Sequence, residues 1–221
     1  RGYDEFNQAK KAGNYGWPYF VGLSRAYPRY DFVTKTVNEY FDLKAPANHS
    51  IYNTGLKTLP PTTNPIIWYP YSFYDSFPDL GEGGRCAIAG PVYHFDKNNH
   101  NKTGLPEYYD KALFIADWMR NWIFTVRLDD TLGYKRMEAF MPLTGNFKRP
   151  IDFDISPDGV MYILEYGSVY GADNVDARLV RLEYNSGNRA PQADISVNDS
   201  IGLAPFKVNF DGGRSMDFDE D

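Results

Sequence analysis

Four stretches of this sequence hold residue types whose spacing could do chemistry. The first is Asp4-Glu5-Phe6-Asn7, leading to Gly13-Asn14-Tyr15-Gly16-Trp17-Pro18. Glycines at 13 and 16 permit the positive φ of a looping backbone, and such loops aim carbonyl oxygens inward. A carboxylate with backbone carbonyls is the oxygen-rich set that Ca²⁺ takes. The simpler reading of the same residues is a glycine turn whose Trp17 packs on the core, and spacing alone favours that turn. The second stretch is Gly81-Glu82-Gly83-Gly84-Arg85-Cys86, where glycines allow close approach to a ligand and Arg85 offers a planar fork for a carboxylate or carbonyl. The alternative is a surface turn in which Arg85 pairs with Glu82 or Asp79. The third is Arg149, placed just before a strand and so near a sheet end, where it faces a ligand or pairs with Asp152 or Asp154. The fourth is the loop 167–176 with Asp173, Asn174 and Asp176, read as a solvated turn in preference to a cation site.

Other reactive types carry less. Cys86, the one cysteine, precedes an apolar stretch and reads as a small buried hydrophobe; it excludes an internal disulfide framework. His94 follows strand-like residues and reads as hydrogen-bonded structure, while His49 and His100 sit in polar loops. No Ser/His/Asp grouping and no zinc-type Cys/His spacing can be assembled.

The elements that must position these groups are clearest from Arg149 to Tyr184. Ile151, Phe153 and Ile155 alternate with polar residues at the period of a half-buried strand. Ser156-Pro157-Asp158-Gly159 is a tight turn, with Pro presetting φ and Gly closing it. Val160 to Leu164 is too short for a helix and reads as a central strand, and Leu179 to Tyr184 alternates again. The phrase occurs twice. Leu113-Phe114-Ile115-Ala116-Asp117-Trp118 precedes Val126-Arg127-Leu128-Asp129, and Tyr162-Ile163-Leu164-Glu165-Tyr166 precedes Val180-Arg181-Leu182-Glu183. The offset from Asp117 to Glu165 falls in the range of about 40–50 residues expected of propeller blades. An all-β fold follows, a β-propeller in preference to a sandwich. Lys135 to Met141 reads as a further strand.

The rest is less regular. Residues Tyr19 to Pro65 read as a long irregular insertion with a short helix over Asn38 to Leu43, and the prolines from Pro60 to Pro70 as extended edge-like chain. Arg189-Ala190-Pro191 reads as a linker, followed by short strands at Ala193 to Val197 and Phe206 to Phe210 and an acidic run, Asp217, Asp219, Glu220 and Asp221. The expected division is therefore 1–187 and 188–221. The second part is too short to bury a core alone, and the chain reads as a fragment of something longer. The net charge of −6 over 221 residues gives no electrostatic footprint for nucleic acid or anionic membrane. No run approaches the roughly 18 apolar residues of a membrane span. Eighteen Tyr and fifteen Phe suit β-structure and sugar-stacking surfaces equally.

The Asp4-Glu5-Phe6-Asn7 … Asn14-Tyr15-Gly16-Trp17-Pro18 signature resembles that of the soluble quinoprotein glucose/sorbosone dehydrogenases. The segments Leu113 to Leu128 and Arg149 to Leu164 resemble the last blades of that family, in the same order. The resemblance implies the C-terminal part of a six-bladed propeller that binds pyrroloquinoline quinone (PQQ) and Ca²⁺ and oxidises sugars. It implies Glu5 and Tyr15 as Ca²⁺ ligands, the latter through its backbone, and Arg149, Arg85 and Arg120 on the cofactor side. Two cations of the family pattern are replaced, by Ile151 and by Met119 beside Arg120. The histidine that serves as general base belongs to an earlier blade, and none of the three histidines here takes its position, so this chain alone is expected to be inactive. The segment 188–219 is similar to the opening of a PKD domain, an Ig-like sandwich. Together these imply an exported bacterial protein (periplasmic, cell-surface or secreted), part of a longer chain or assembly, meeting a sugar and an electron-acceptor protein. The alternative is a non-catalytic extracellular propeller that binds carbohydrate or a protein partner.

Overall fold

The computed structural model describes residues 2–185, 187, 191 and 193–215. Apart from two single 3₁₀ turns, Pro78–Leu80 and Glu107–Tyr109, the regular structure is entirely β. The strands are β1 (Asp4–Phe6), β2 (Phe20–Val21), β3 (Arg25–Ala26), β4 (Pro28–Asp31), β5 (Thr36–Tyr40) and β6 (Ile67–Tyr69). They continue as β7 (Ala87–Val92), β8 (Leu113–Asp117), β9 (Trp122–Leu128), β10 (Tyr134–Ala139), β11 (Pro150–Ile155), β12 (Met161–Glu165), β13 (Arg178–Leu182), β14 (Ser196–Val197) and β15 (Phe210–Asp211). The chain falls into two compact units, Arg1–Leu182 and Glu183–Asp221.

In the first unit, two antiparallel meanders carry the repeated phrase. One is the four-stranded sheet β7-β8-β9-β10 and the other the three-stranded sheet β11-β12-β13. Each copy of the phrase is the middle strand, β8 or β12, followed by its outer neighbour. The antiparallel pair β1-β6, distant in sequence, forms a smaller sheet beside β7. The first strands of the three sheets lie side by side, β1 against β7 and β7 against β11.

The alternation of side chains explains this stacking. On β8, Phe114 and Ala116 face one way, into a core with Tyr93, Phe140, Phe147, Phe153, Met161 and Ile163. Ile115 faces the other way, with Phe124 and Val126 of β9, into a core with Phe6, Ile67, Tyr69, Phe77 and Leu80. A strand buried on both faces reads as an unbroken apolar run, which is why Leu113 to Ala116 has no polar residue. Gly90 of β7 lets the first strands close up. A Cβ there would lie 2.0 Å from the ring of Phe153 on β11.

The sheet β11-β12-β13 follows its sequence pattern with one exception. Phe153 is buried and Ile155 packs on the same core, while Ile151 is exposed because a bulge between Pro150 and Asp152 shifts its register. The turn at Ser156 to Gly159 forms as expected, with the Gly159 amide donating to the Ser156 carbonyl at 2.8 Å. The far face of this sheet keeps Ile151, Leu164 and Leu179 exposed.

Elsewhere the sequence expectations need correction. Asn38 to Leu43 is not helical: Thr36–Tyr40 is β5, paired with β4, and all five residues are exposed. β-Branched Thr36 and Val37 favour that hairpin over a helix. The segment from Tyr19 to Pro65 holds two small hairpins, β2-β3 and β4-β5, rather than irregular chain throughout. The strand expected from Lys135 runs from Tyr134 to Ala139 and is bulged at its start. Trp17 does not pack on the core but is 81% exposed, and Cys86 is exposed rather than buried.

In the second unit, Ser196–Val197 pairs antiparallel with Phe210–Asp211, two residues each. Arg189 and Ala190 of the expected linker, and the acidic residues Asp217, Asp219, Glu220 and Asp221, lie outside the described residues.

Candidate functional site

Antiparallel register puts the start of β7, the end of β8 and the start of β9 at one end of the sheet: Ala87 is opposite Asp117, and Asp117 is opposite Trp122. The start of β11 and the end of β12 form the corresponding end of the next sheet. This entry rim gathers most of the polar groups singled out above.

Two buried carboxylates organise it. Asp117 closes β8 with no exposed surface; its Oδ2 accepts from the Tyr69 hydroxyl at 2.6 Å and the Cys86 amide at 2.9 Å. Its Oδ1 accepts from the amides of Met119 at 2.7 Å and Arg120 at 2.8 Å, which turns the chain into β9. Burial, then the Asp117 charge, pushes the Tyr69 phenol well above its ordinary range. Glu165 closes β12 in the same way. Its Oε1 accepts the Lys148 amide at 3.0 Å, and its Oε2 pairs with Arg178 Nε at 2.6 Å. In both copies the acid at the end of the middle strand pins the chain as it enters the first strand of the sheet. The repeat made these acids visible in the sequence, but nothing in their spacing revealed that pinning role.

Arg120 supplies the next layer. Its five N–H groups donate to the carbonyls of Pro70, Leu80, Gly81, Gly83 and Gly84 at 2.7–3.2 Å. Its guanidinium also lies 4.7 Å from the centre of the Tyr69 ring. The glycine-rich loop 81–84 is thus wrapped around an arginine, and Arg120 has no N–H left for a ligand.

Arg85 is placed differently. Its Nε lies 2.9 Å from Asp4 Oδ1, and its guanidinium stacks 3.9 Å over Tyr71. It pairs with neither Glu82 nor Asp79 among the described residues. Only 10% of the side chain is exposed, and Nη1 has no hydrogen-bond partner among the described residues. The Asp4 contact is close in charge but not aligned as a hydrogen bond, since Nε also lacks a partner of good geometry. Asp4 Oδ2 meanwhile accepts from the Ala87 amide at 3.0 Å, joining the starts of β1 and β7. Beside it, the exposed Cys86 thiol is held above its usual range by desolvation and by the Asp117 and Asp4 carboxylates.

Arg149 sits in left-handed backbone, φ 55°, at the entry to β11. Its amide donates to Asn121 Oδ1 at 2.9 Å, its Nε to the Ser168 carbonyl at 3.3 Å, and its guanidinium lies 4.7 Å from the Trp118 ring centre. Trp118 in turn touches Tyr166 and Tyr170 edge-on, and its amide donates to the Cys86 carbonyl. Trp118 therefore bridges the entries to β7 and β11. Pairing of Arg149 with Asp152 or Asp154 does not occur among the described residues.

Glu5 and Tyr15 are held by local contacts. Glu5 Oε2 accepts the Gly22 amide at 2.7 Å and Oε1 accepts from Asn7 at 3.1 Å. The Tyr15 hydroxyl donates to the Lys11 carbonyl at 2.7 Å. The chain turns just after Tyr15, at Gly16, φ 96°, whose carbonyl accepts from Tyr19 and Phe20 and where a Cβ would meet the Phe20 carbonyl oxygen at 2.8 Å. Among the described residues no three His, Cys, Asp or Glu side chains gather as a metal-holding group. In the loop 167–176, Asp176 is taken up by Ser168 and Lys148, which hold its carboxyl well below the usual carboxylate range, and Asn174 bonds to Val169.

No histidine joins the rim. His49 and His94 are exposed, and His100 bonds through Nε2 to the Leu105 carbonyl at 2.9 Å. No family model matches the chain, and no curated protein matches it.

Proposed function

We propose that this chain is part of a β-propeller of the quinoprotein sugar-dehydrogenase type, and that its entry rim holds PQQ through Arg85 and Arg149. Three features support a propeller over a sandwich. The meanders repeat, their first strands adjoin, and the far face of the β11-β12-β13 sheet, which also carries Asp152, exposes Ile151, Leu164 and Leu179, apolar surface that a further sheet would cover. The C-terminal unit is read as the opening of a PKD-type sandwich, a reading its β14-β15 pairing supports. This architecture belongs to an exported protein.

The observation that carries the ligand reading is the buried Arg85 Nη1 without a partner. Leaving a charged donor unsatisfied is costly, and an incoming carboxylate would remove that cost. Arg149, stacked on Trp118, is the second cation of the rim and has hydrogen-bonding capacity beyond its one contact to Ser168. The residues present therefore fit an anionic, planar cofactor. For Ca²⁺, Glu5 retains lone pairs beyond its two protein contacts, and backbone oxygens such as that of Tyr15 would have to complete the set. When bound, PQQ takes up the hydride equivalent of a sugar's C1–OH. The residues of this chain would bind and orient it, and none of His49, His94 and His100 stands on the rim to take the proton, so the chain by itself is read as holding cofactor without turning sugar over.

Equilibrium titration with PQQ in saturating Ca²⁺, followed by the quinone's absorption, tests the reading. Saturable binding that weakens at least tenfold in Arg85→Gln and in Arg149→Gln is expected. Absence of binding to the chain and to any longer protein that contains it would remove the enzyme reading.

The second reading, a non-catalytic propeller that binds a glycan or a protein, is favoured by one specific observation. Arg120 is fully committed to backbone carbonyls, which leaves the rim with two cations for a tricarboxylate. Binding of a neutral oligosaccharide, with no response to PQQ, is the outcome that distinguishes it.

A further inference from the structure

At the opposite end of the β7-β10 sheet lies a cleft of 570 Å³ lined by Asp110, Lys111, Arg127, Leu128, Lys135 and Arg136. Four cations line it, against one acid, on a chain whose net charge is −6. Three local features bring them there, and each is unfavourable by itself. Arg127 and Arg136 are direct cross-strand partners on β9 and β10, a like-charge pairing that destabilises a sheet. Lys135 is the extra residue of the bulge between Tyr134 and Arg136, the kind of irregularity that re-aims a side chain. Lys111 holds left-handed backbone, φ 61°, which a lysine adopts only against steric cost.

The acids nearby neutralise the cluster only in part. Arg136 pairs with Glu138 at 2.9 Å, and Arg127 donates to the carbonyls of Asp110 and Tyr108. Asp110 Oδ1 is taken by the Phe95 amide. Among the described residues no carboxylate pairs with Lys111 or Lys135. Tyr108, more than half exposed, sets its ring 5.5 Å from the Arg127 guanidinium, an apolar plane beside the charges.

We propose that this cleft binds an acidic oligosaccharide, a short sugar chain bearing carboxylate or sulfate groups. The volume lies within the range of about 300–1,000 Å³ usual for small-ligand sites. Lysines and arginines pair with the anionic groups, and an exposed Tyr offers a stacking face to a sugar ring. Nucleic acid is the poorer match. Duplex DNA carries one charge per roughly 1.7 Å, and the acidic remainder of the chain repels so dense a polyanion beyond the cleft. The site is independent of the entry rim and does not rest on the quinone reading.

The test is titration calorimetry of the full chain with tetragalacturonate and with a sulfated chondroitin tetrasaccharide, using maltotetraose, inorganic sulfate and a dT oligomer as comparisons. The two anionic tetrasaccharides separate carboxylate from sulfate as the preferred group, and binding of either supports the site. The expected result is binding that weakens with salt and falls at least tenfold in Lys111→Gly/Lys135→Ala, where glycine preserves the backbone at 111. If that variant does not fold, Lys135→Ala alone, at an exposed bulge position, decides by a severalfold loss. Unchanged affinity in the variant, equal binding of maltotetraose, displacement by sulfate at equal molarity, or tighter binding of the dT oligomer would each overturn the proposal.

Discussion

Asp117→Ala tests how the rim is held. The substitution removes the acceptor of four hydrogen bonds, those of the Tyr69 hydroxyl and the amides of Cys86, Met119 and Arg120. Tyr69 is 1% exposed, so its hydroxyl cannot turn to water. A buried donor left without a partner costs about 1–3 kcal/mol, so four would cost about 4–12 kcal/mol if none relaxed. The bonds from the three amides are part-buried rather than fully enclosed, so a loss near the lower bound, about 4 kcal/mol, is expected. At about 2–4 °C per kcal/mol for a unit of this size, the melting temperature falls by roughly 8–16 °C. Tyr69→Phe removes one donor and costs about 1.5–3 kcal/mol, the worth of a hydrogen bond to a charged group. The double variant should cost less than the sum of the two by about 1 kcal/mol or more, because it no longer orphans the hydroxyl. Urea unfolding followed by tryptophan fluorescence is the assay. All four tryptophans lie in the first unit, so the signal reports that unit alone. A loss below about 1 kcal/mol for Asp117→Ala, or strict additivity, would refute the reasoning.

Gly90→Ala should cost about 1–3 kcal/mol by forcing its methyl into the buried Phe153 ring, with partial recovery in Gly90→Ala/Phe153→Leu, both read from urea midpoints. Arg120→Lys replaces a five-donor fork by a three-donor point charge, so amide exchange at Gly81, Gly83 and Gly84 should accelerate at least tenfold while β8 and β9 stay protected. For Asp176 the native carboxyl titrates below its ordinary value of 3.8, so the unfolded chain binds the proton first as pH falls. Its contribution is therefore present at neutral pH and lost on acidification from about pH 5 toward pH 2; Asp176→Asn should flatten that part of the acid-unfolding curve and leave the slope above pH 6 unchanged.

The sheets were legible because their residues obey local rules. Phe153 and Ile155 alternate, Ser156 to Gly159 is a turn by composition, and the Asp117/Glu165 repeat fixes two equivalent strand ends. The failures come from contacts distant in sequence or from irregular register. Ile151 left its face because of a bulge, and the Asn38 to Tyr40 part of the expected helix became part of a hairpin because pairing with β4 outweighed a weak helical pattern. Arg85 and Arg149 could be singled out from residue type, but their partners could not. Asp4 lies 81 residues from Arg85, and Trp118 lies 31 residues before Arg149. Arg120 was assigned to the cofactor side because its chemistry suits an anion equally well, and only the fold discloses the five carbonyls around it. The opposing basic cleft went unseen because a bulge and cross-strand pairing assemble it from three separate segments.

Amide hydrogen exchange with and without PQQ, in saturating Ca²⁺, bears most directly on the proposal that one rim receives the ligand. Slowed exchange is expected at Arg85 to Ala87, Trp118 to Asn121 and Lys148 to Arg149, with Lys111 and Arg127 to Arg136 unaffected. Slowing at that second group, or no change at the first under saturating quinone, would contradict it.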